Sequence, residues 1–164
     1  MILSQENIIR QLQDRVEVAP VYQKFTTVFA REAIVGEQIV TSINGIQETK
    51  NVASKGDFVV RNRTQAQEEY IVKADTFHRR YEDTNEKSGN WSVFQAKGKC
   101  KAVQVDEEVL NLLGVKETFY FMASWGEKMR CEKGDILAVP LEQKESKVYR
   151  IAKEEFLQTY RLID

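Results

Sequence analysis

The chain contains the same segment twice. Lys55-Gly56-Asp57-Phe58-Val59-Val60 is followed by Tyr70-Ile71-Val72, then by Phe77 and Tyr81. Lys133-Gly134-Asp135-Ile136-Leu137-Ala138 is followed by Tyr149-Arg150-Ile151, then by Phe156 and Tyr160. The second copy keeps the order of the first and almost its spacing, with one residue inserted after the turn. So many matched residue types point to a tandem pair of similar units. With 164 residues in all, each half has about 80, small enough to be marginal alone, so the halves are expected to share one compact unit.

Each copy reads as strand, hairpin, Gly-Asp turn, hairpin and short helix. Glycine supplies backbone angles closed to other residues, and aspartate accepts N–H groups of its own turn. The apolar runs that follow are too short and too β-branched for helices. Phe77 and Tyr81, one turn apart, close a short helix from Asp75 onto the sheet. Phe156 and Tyr160 do the same in a helix over 153–162. In the first copy, Phe25–Phe29 reads as a strand. Asn44-Gly45 between two apolar runs is a hairpin signal. In the second, a helix from Asp106 to Leu113, capped by Asp106 and stopped by Gly114, is inserted where the first copy has only Glu32–Glu37.

The organisation expected is therefore an N-terminal helix within 1–20, repeat one over 21–82, a polar linker over 83–90, and repeat two over 91–164. Ser4 caps the first helix, Ile8, Ile9 and Leu12 fall at helical spacing, and the helix is expected to pack across repeat one. The fold class is α+β, mainly antiparallel sheet or a small barrel, built of pseudo-symmetric repeats with short peripheral helices. Parallel α/β does not fit, because long helices do not alternate with the strands.

Lys plus Arg total 24 and Asp plus Glu 25. This balance argues against bulk nucleic-acid binding and against a membrane surface. No stretch approaches a membrane span, and the N-terminus is too polar for a signal peptide. Cys100 and Cys131 fit neither a disulfide framework nor a metal site, so both are expected as reduced thiols in a cytoplasmic protein. No metal and no cofactor is expected: His78 is the only histidine, and no GxSxG, P-loop or GxGxxG motif is present.

Candidate binding residues fall in two groups. Arg61 and Arg63, with Arg79 from the His78-Arg79-Arg80 run, can together form an anion site. Trp125-Gly126-Glu127-Lys128 stands where repeat one has a plain hairpin turn. An aromatic beside a carboxylate and a cation, next to the strand carrying Arg150, suits a ligand pocket or a partner contact. Trp91 is likewise confined to the second half. Asp57 and Asp135 lie on equivalent turns and are the candidates for acid–base work in an enzyme, although each is already explained by its turn.

Gly56-Asp57-Phe58-Val59-Val60, a polar loop, Glu69-Tyr70-Ile71-Val72-Lys73, then Phe77 and Tyr81-Glu82 resemble the small phage and prophage proteins built around GDWIITG…GE-Y…K-x-x-F-x-x-x-YE. They also resemble bacterial proteins of the PGDYL-motif type. Lys101-Ala102-Val103-Gln104 is similar to the strand that opens the phage version. The likeness covers most of 22–82 and 92–161. The chain departs from it at Lys55 and Lys133, where the PGDYL type has proline, and at Gln67, where the phage loop has glycine. The resemblance implies a prophage or host-defence setting and transfers no catalytic residue. The function expected is a non-catalytic binding module for a small anionic ligand or a protein partner. The alternatives are an assembly protein whose Trp91 and Trp125 make an oligomer contact, and a carboxylate-dependent enzyme.

Overall fold

Local chemistry sets the first elements. The Ser4 hydroxyl accepts the Asn7 N–H at 3.1 Å, satisfying one of the orphan donors of a helix start. In the computed structural model, which describes residues 1–43, 46–123, 128–141 and 147–163, with 41–43 and 46–50 described by backbone alone, the chain opens with β1 (Ile2–Leu3), α1 (Gln5–Gln11) and α2 (Gln13–Glu17). There follow β2 (Val21–Lys24), β3 (Thr27–Glu32), β4 (Gln38–Ile43), β5 (Ile46–Val52), β6 (Phe58–Asn62), β7 (Glu69–Val72), α3 (Ala74–Arg80), β8 (Tyr81–Ser88) and β9 (Trp91–Ala96). The remainder is β10 (Lys99–Gln104), α4 (Glu107–Leu113), β11 (Thr118–Met122), β12 (Lys128–Glu132), β13 (Ile136–Pro140), β14 (Tyr149–Ile151), α5 (Lys153–Thr159) and β15 (Tyr160–Leu162). The class is α+β and mainly antiparallel, and among the described residues no sheet closes into a barrel. No described helix is long and apolar enough to cross a membrane.

Two compact bodies are formed, residues 1–23 with 99–164, and residues 24–98. The first is built on a sheet of order β14-β13-β10-β2-β15, the second on β7-β6-β3-β9-β8. Position by position these are the same order. β13 and β6 follow the Gly-Asp turns, β14 and β7 return beside them, and α5 and α3 lead into the edge strands β15 and β8. Each seven-residue helix is too short to persist alone and is held by one buried phenylalanine, Phe156 or Phe77.

The boundaries differ from those expected along the chain. Residues 83–90 are no linker: they continue β8 and turn into β9, which pairs with β3. Trp91 thus opens the last strand of the second body rather than repeat two. In the same way β2, at the start of the expected repeat one, pairs with β10 in the first body. The register is shared by both pairings, Gln23 opposite Lys99 and Thr27 opposite Gln95. The expected strand over Phe25–Phe29 is the join between β2 and β3, with Phe25 and Thr26 outside both. The Asn44-Gly45 turn lies outside the described residues.

In the first body both faces of the sheet are covered. Alternation sends Ala102 and Ala138 to one face, under α5, with Cys100, Ile136, Ile151 and Phe156. Val103 and Leu137 point to the other, where they meet Phe119, Phe121, Met129 and Cys131 of the β1-β11-β12 sheet. Ile8 and Leu12 of the N-terminal helices and Val109, Leu110 and Leu113 of α4 complete that core. The N-terminal helix therefore packs in this body, not across repeat one: its apolar stripe meets the inserted helix α4, which repeat one lacks. Asp106 caps α4 through the Val109 N–H, and Gly114 ends it at φ 69°, a left-handed residue where glycine is favoured.

In the second body α3 covers one face. Phe77 packs there with Val28, Ala30, Val60, Tyr81 and Ala96. The β4–β5 hairpin runs close to β7. Phe29, Arg31, Arg61 and Trp91 stand on the face away from α3, set there by alternation with Val28, Ala30 and Val60.

Candidate functional site

The Gly-Asp turns are built alike. Asp57 Oδ2 accepts the Ser54 N–H at 2.8 Å, and Asp135 Oδ2 accepts the Glu132 N–H at 3.0 Å. Gly56 and Gly134 carry φ of 86° and 99°, which only glycine adopts without strain. Each buried carboxylate also meets a cation, but from non-equivalent places. Asp57 faces Lys73, the residue before α3, at 3.3 Å; Asp135 faces Arg150, in mid-strand β14, at 2.9 Å. Lys73 is 56% exposed and Arg150 only 4%. Burying an aspartate demands a partner charge, and the two bodies meet that demand separately. Both aspartates are thus engaged in their turns, and Arg150 is buried in the first body against Asp135.

The rings under the two helices are nearly superposable in their contacts. In the second body Phe77 lies edge-on to Phe94, with centroids 4.8 Å apart and planes at 71°, and stacks on Tyr81 at 5.0 Å. In the first, Phe156 lies edge-on to Tyr22 at 4.8 Å and 63°, and stacks on Tyr160 at 5.1 Å. The second body adds Phe58, stacked on Phe77 at 4.1 Å with planes 5° apart, and His78, edge-on to Phe77 at 5.6 Å where the first body has Leu157. The residue that follows the Gly-Asp turn in the first body is Ile136. Beside it opens a groove of about 400 Å³, bounded by α2, β2, β10, β13 and α5.

Phe156, Ile136, Ala102 and Tyr22 line this groove, with Val18 and Leu157 at its rim. Val18 is 80% exposed and Leu157 68%, apolar surface left in water. Lys153 and Arg15 supply positive charge. Arg15 is matched by Asp106 at 3.2 Å and Glu108 at 3.0 Å. Its guanidinium, with the Val109 N–H, holds the Asp106 carboxyl below the usual range. Lys153, at the start of α5, makes no hydrogen bond or ion pair with a described residue. Neither does the Tyr22 hydroxyl. The chemistry on offer is thus an apolar slot with one open ammonium.

A second surface stands on the second body. The Trp91 indole stacks against the guanidinium carbons of Arg31 at 5.1 Å and Arg61 at 4.5 Å. Each arginine is already answered by a carboxylate, Arg31 by Glu37 at 2.9 and 2.7 Å, Arg61 by Glu69 through Nε at 2.8 Å. The Arg31 guanidinium, with the Ile34 N–H, holds the Glu37 carboxyl down at about 2. Arg63 lies over the Phe29 ring at 4.8 Å and donates to Thr27. Beneath the opposite face runs a buried polar chain. The Lys24 ammonium donates to Asn62 Oδ1 at 2.8 Å, Tyr70 Oη at 2.7 Å and Tyr81 Oη at 3.3 Å. The Asn62 amide and the Thr64 hydroxyl donate in turn to Glu68. Pro140 occupies the rung of the first body that Asn62 occupies in the second.

The expected anion site does not assemble. Arg61 and Arg63 stand on the sheet face away from α3, while Arg79 is exposed on α3 and donates to Thr76. The residue between Arg61 and Arg63 is Asn62, turned into the core. Lys128 is exposed at the start of β12, its ammonium 4.8 Å from the Tyr120 ring centre. Trp125 and Glu127 lie outside the described residues. Among the described residues no three His, Cys, Asp or Glu side chains gather as metal ligands. Compared with protein-family models, curated proteins and solved structures, the chain has no match.

Proposed function

We propose that the protein is a non-catalytic binding module that takes a small anionic ligand into the groove of the first body. The observation that carries the reading is the groove itself: about 400 Å³, within the size range of small-molecule sites, mostly apolar, with few polar groups. The open Lys153 ammonium favours an anion. The engagement of Asp57 and Asp135 in turn hydrogen bonds and ion pairs favours binding over acid–base chemistry, which needs a group free to exchange its proton. The prophage or host-defence setting rests on the sequence resemblance alone. Amide chemical shifts recorded during titration with small carboxylates and phosphates test this. Saturable shifts at Tyr22, Ala102, Ile136 and Phe156 support it; no saturable change with any of them would sink it.

A protein contact is the second reading, favoured by Trp91. Tryptophan and arginine dominate protein hot spots, and this indole is held rigid by two arginines whose charges are already balanced. Sedimentation of the wild type and of Trp91→Ala tests the simplest form, self-association. A dimer lost in the variant supports the contact, and a monomer at every concentration removes self-association as its form.

A further inference from the structure

Resting on the reading of the groove as an anion site, we propose that its ligand is a planar aromatic carboxylate, whose ring lies on Phe156 as Phe58 lies on Phe77. The argument comes from the molecule's own second body. There the buried phenylalanine of the helix has three ring neighbours on the strands, one edge-on, one stacked from the next strand, and one stacked from the strand after the Gly-Asp turn, besides His78, the next residue of its own helix, edge-on at 5.6 Å. The first body reproduces the first two within 0.1 Å, as 4.8 and 5.1 Å against 4.8 and 5.0 Å. It replaces the third with Ile136, which is shorter and not flat, and the groove opens there.

A close-packed interior does not tolerate such a deficit without repacking. Here the neighbouring rings keep their places, so the vacant position retains the geometry of a stacking site. Offset stacking favours a flat π-system over a saturated group of equal size. The exposed Val18 and Leu157 would be drawn out of water by the outer edge of a bicyclic guest. The Lys153 ammonium, whose stem passes 3.8 Å from where a Gly134 Cβ would stand, supplies a charge-assisted hydrogen bond to the carboxylate. The place that Lys153 takes beside Gly134 is held in the second body by Ala74 beside Gly56. The lost Phe58 ring, the lost His78 ring (Leu157 in the first body) and the gained cation therefore fall on the same groove.

The experiment uses three probes on the full chain: 2-naphthoate, its saturated analogue decahydro-2-naphthoate, and the neutral 2-naphthamide. Calorimetry is expected to show 2-naphthoate binding about tenfold tighter than the saturated acid. Ile136→Phe fills the site from within and is expected to weaken 2-naphthoate at least tenfold. Because that variant can fail for reasons of folding, intermolecular NOEs from naphthoate protons to the Ile136 and Leu157 methyl groups are sought in the wild type as well. Lys153→Gln is expected to weaken 2-naphthoate by about tenfold and leave 2-naphthamide unchanged. Equal or tighter binding of the saturated acid overturns the aromatic class while leaving an anion-binding module. Binding without those NOEs overturns the location. Failure of both acids to bind overturns this inference, while the proposed function still turns on the titration with small carboxylates and phosphates.

Discussion

The two five-stranded sheets have one strand order and two environments, and the contrast separates what the fold requires from what it leaves free. The sheet of the first body is covered by α5 on one face and by β1-β11-β12 with α1 and α4 on the other. The sheet of the second has α3 on one face, and away from it a tryptophan set among paired arginines. Shared features are the glycine with positive φ, the aspartate closing the turn, and the helix phenylalanine on its rings. These belong to the scaffold. Features held by one body alone are the groove with Lys153, the Trp91 surface and the Lys24 chain. They are where a function specific to this protein has room to act.

The comparison is tested most severely at the helix phenylalanines. Phe77 is enclosed on all sides, whereas Phe156 borders the groove. Phe77→Ala is expected to cost about 4 kcal/mol and Phe156→Ala about 1 kcal/mol less, since part of its surface already faces open space. Urea midpoints of the two variants give the order; equal losses would mean that the groove does not relieve the site.

Next in size is the buried chain of the second body. Lys24→Met strips Asn62, Tyr70 and Tyr81 of their shared donor and leaves the Glu68 charge buried without its counterpart. The expected loss is about 3 kcal/mol. Adding Glu68→Gln should return part of it, so the double variant is more stable than additivity allows. Additive losses would mean that the two charges do not communicate through Asn62.

The turn aspartates follow. Asp135→Asn breaks a pair buried on both sides and is expected to cost about 3 kcal/mol. Asp57→Asn, against the half-exposed Lys73, is expected to cost about 1 kcal/mol. Thermal melts of both variants decide, and a reversed order would discard exposure as the governing variable.

The smallest effect is a pH dependence on the second body. Glu37 sits at about 2 in the folded protein against an ordinary 4.5. A lowered carboxyl stabilises above its unfolded value, and that contribution fades as pH falls from about 4.5 toward 2. Discounted for solvent screening it amounts to about 1 kcal/mol. The gap in stability between wild type and Glu37→Gln should therefore narrow between neutral pH and pH 2; a constant gap would remove the Arg31 pair as its source.

Much of the scaffold was legible in the residues. Ser4, Asp106 and Gly114 announce helix ends through chemistry confined to a few neighbours, and they act as read. The Gly-Asp turns are equally local. What escaped depends on pairing at a distance. β8 is a polar edge strand with exposed side chains on nearly every residue and an irregular register at Asp83 and Glu86, so no alternation marks it, and Asp83–Asn90 reads as a linker. The partners of β2 and β9 lie far along the chain, and nothing in Val21–Lys24 or Trp91–Ala96 states which sheet each will join. At the candidate site, Arg61, Arg63 and Arg79 look like one cluster because charge is visible in sequence while strand face is not. The exchange of Phe58 for Ile136 was in plain view between the copies. Its meaning needed the neighbouring rings, which only the fold brings together.

The way the strands are lent has a consequence for synthesis. Residues 24–98 form one uninterrupted body, so its sheet has every strand as soon as Gly98 has left the ribosome. The other body draws β1, α1, α2 and β2 from residues made before that stretch and all the rest from residues made after it. Ile8 and Leu12 must therefore wait, apolar and unpartnered, until α4 arrives. Domains generally fold in the order in which they are made; here residues 1–23 precede the second body yet belong to the body completed after it, and their exposed apolar stripe is what a nascent-chain chaperone would meet.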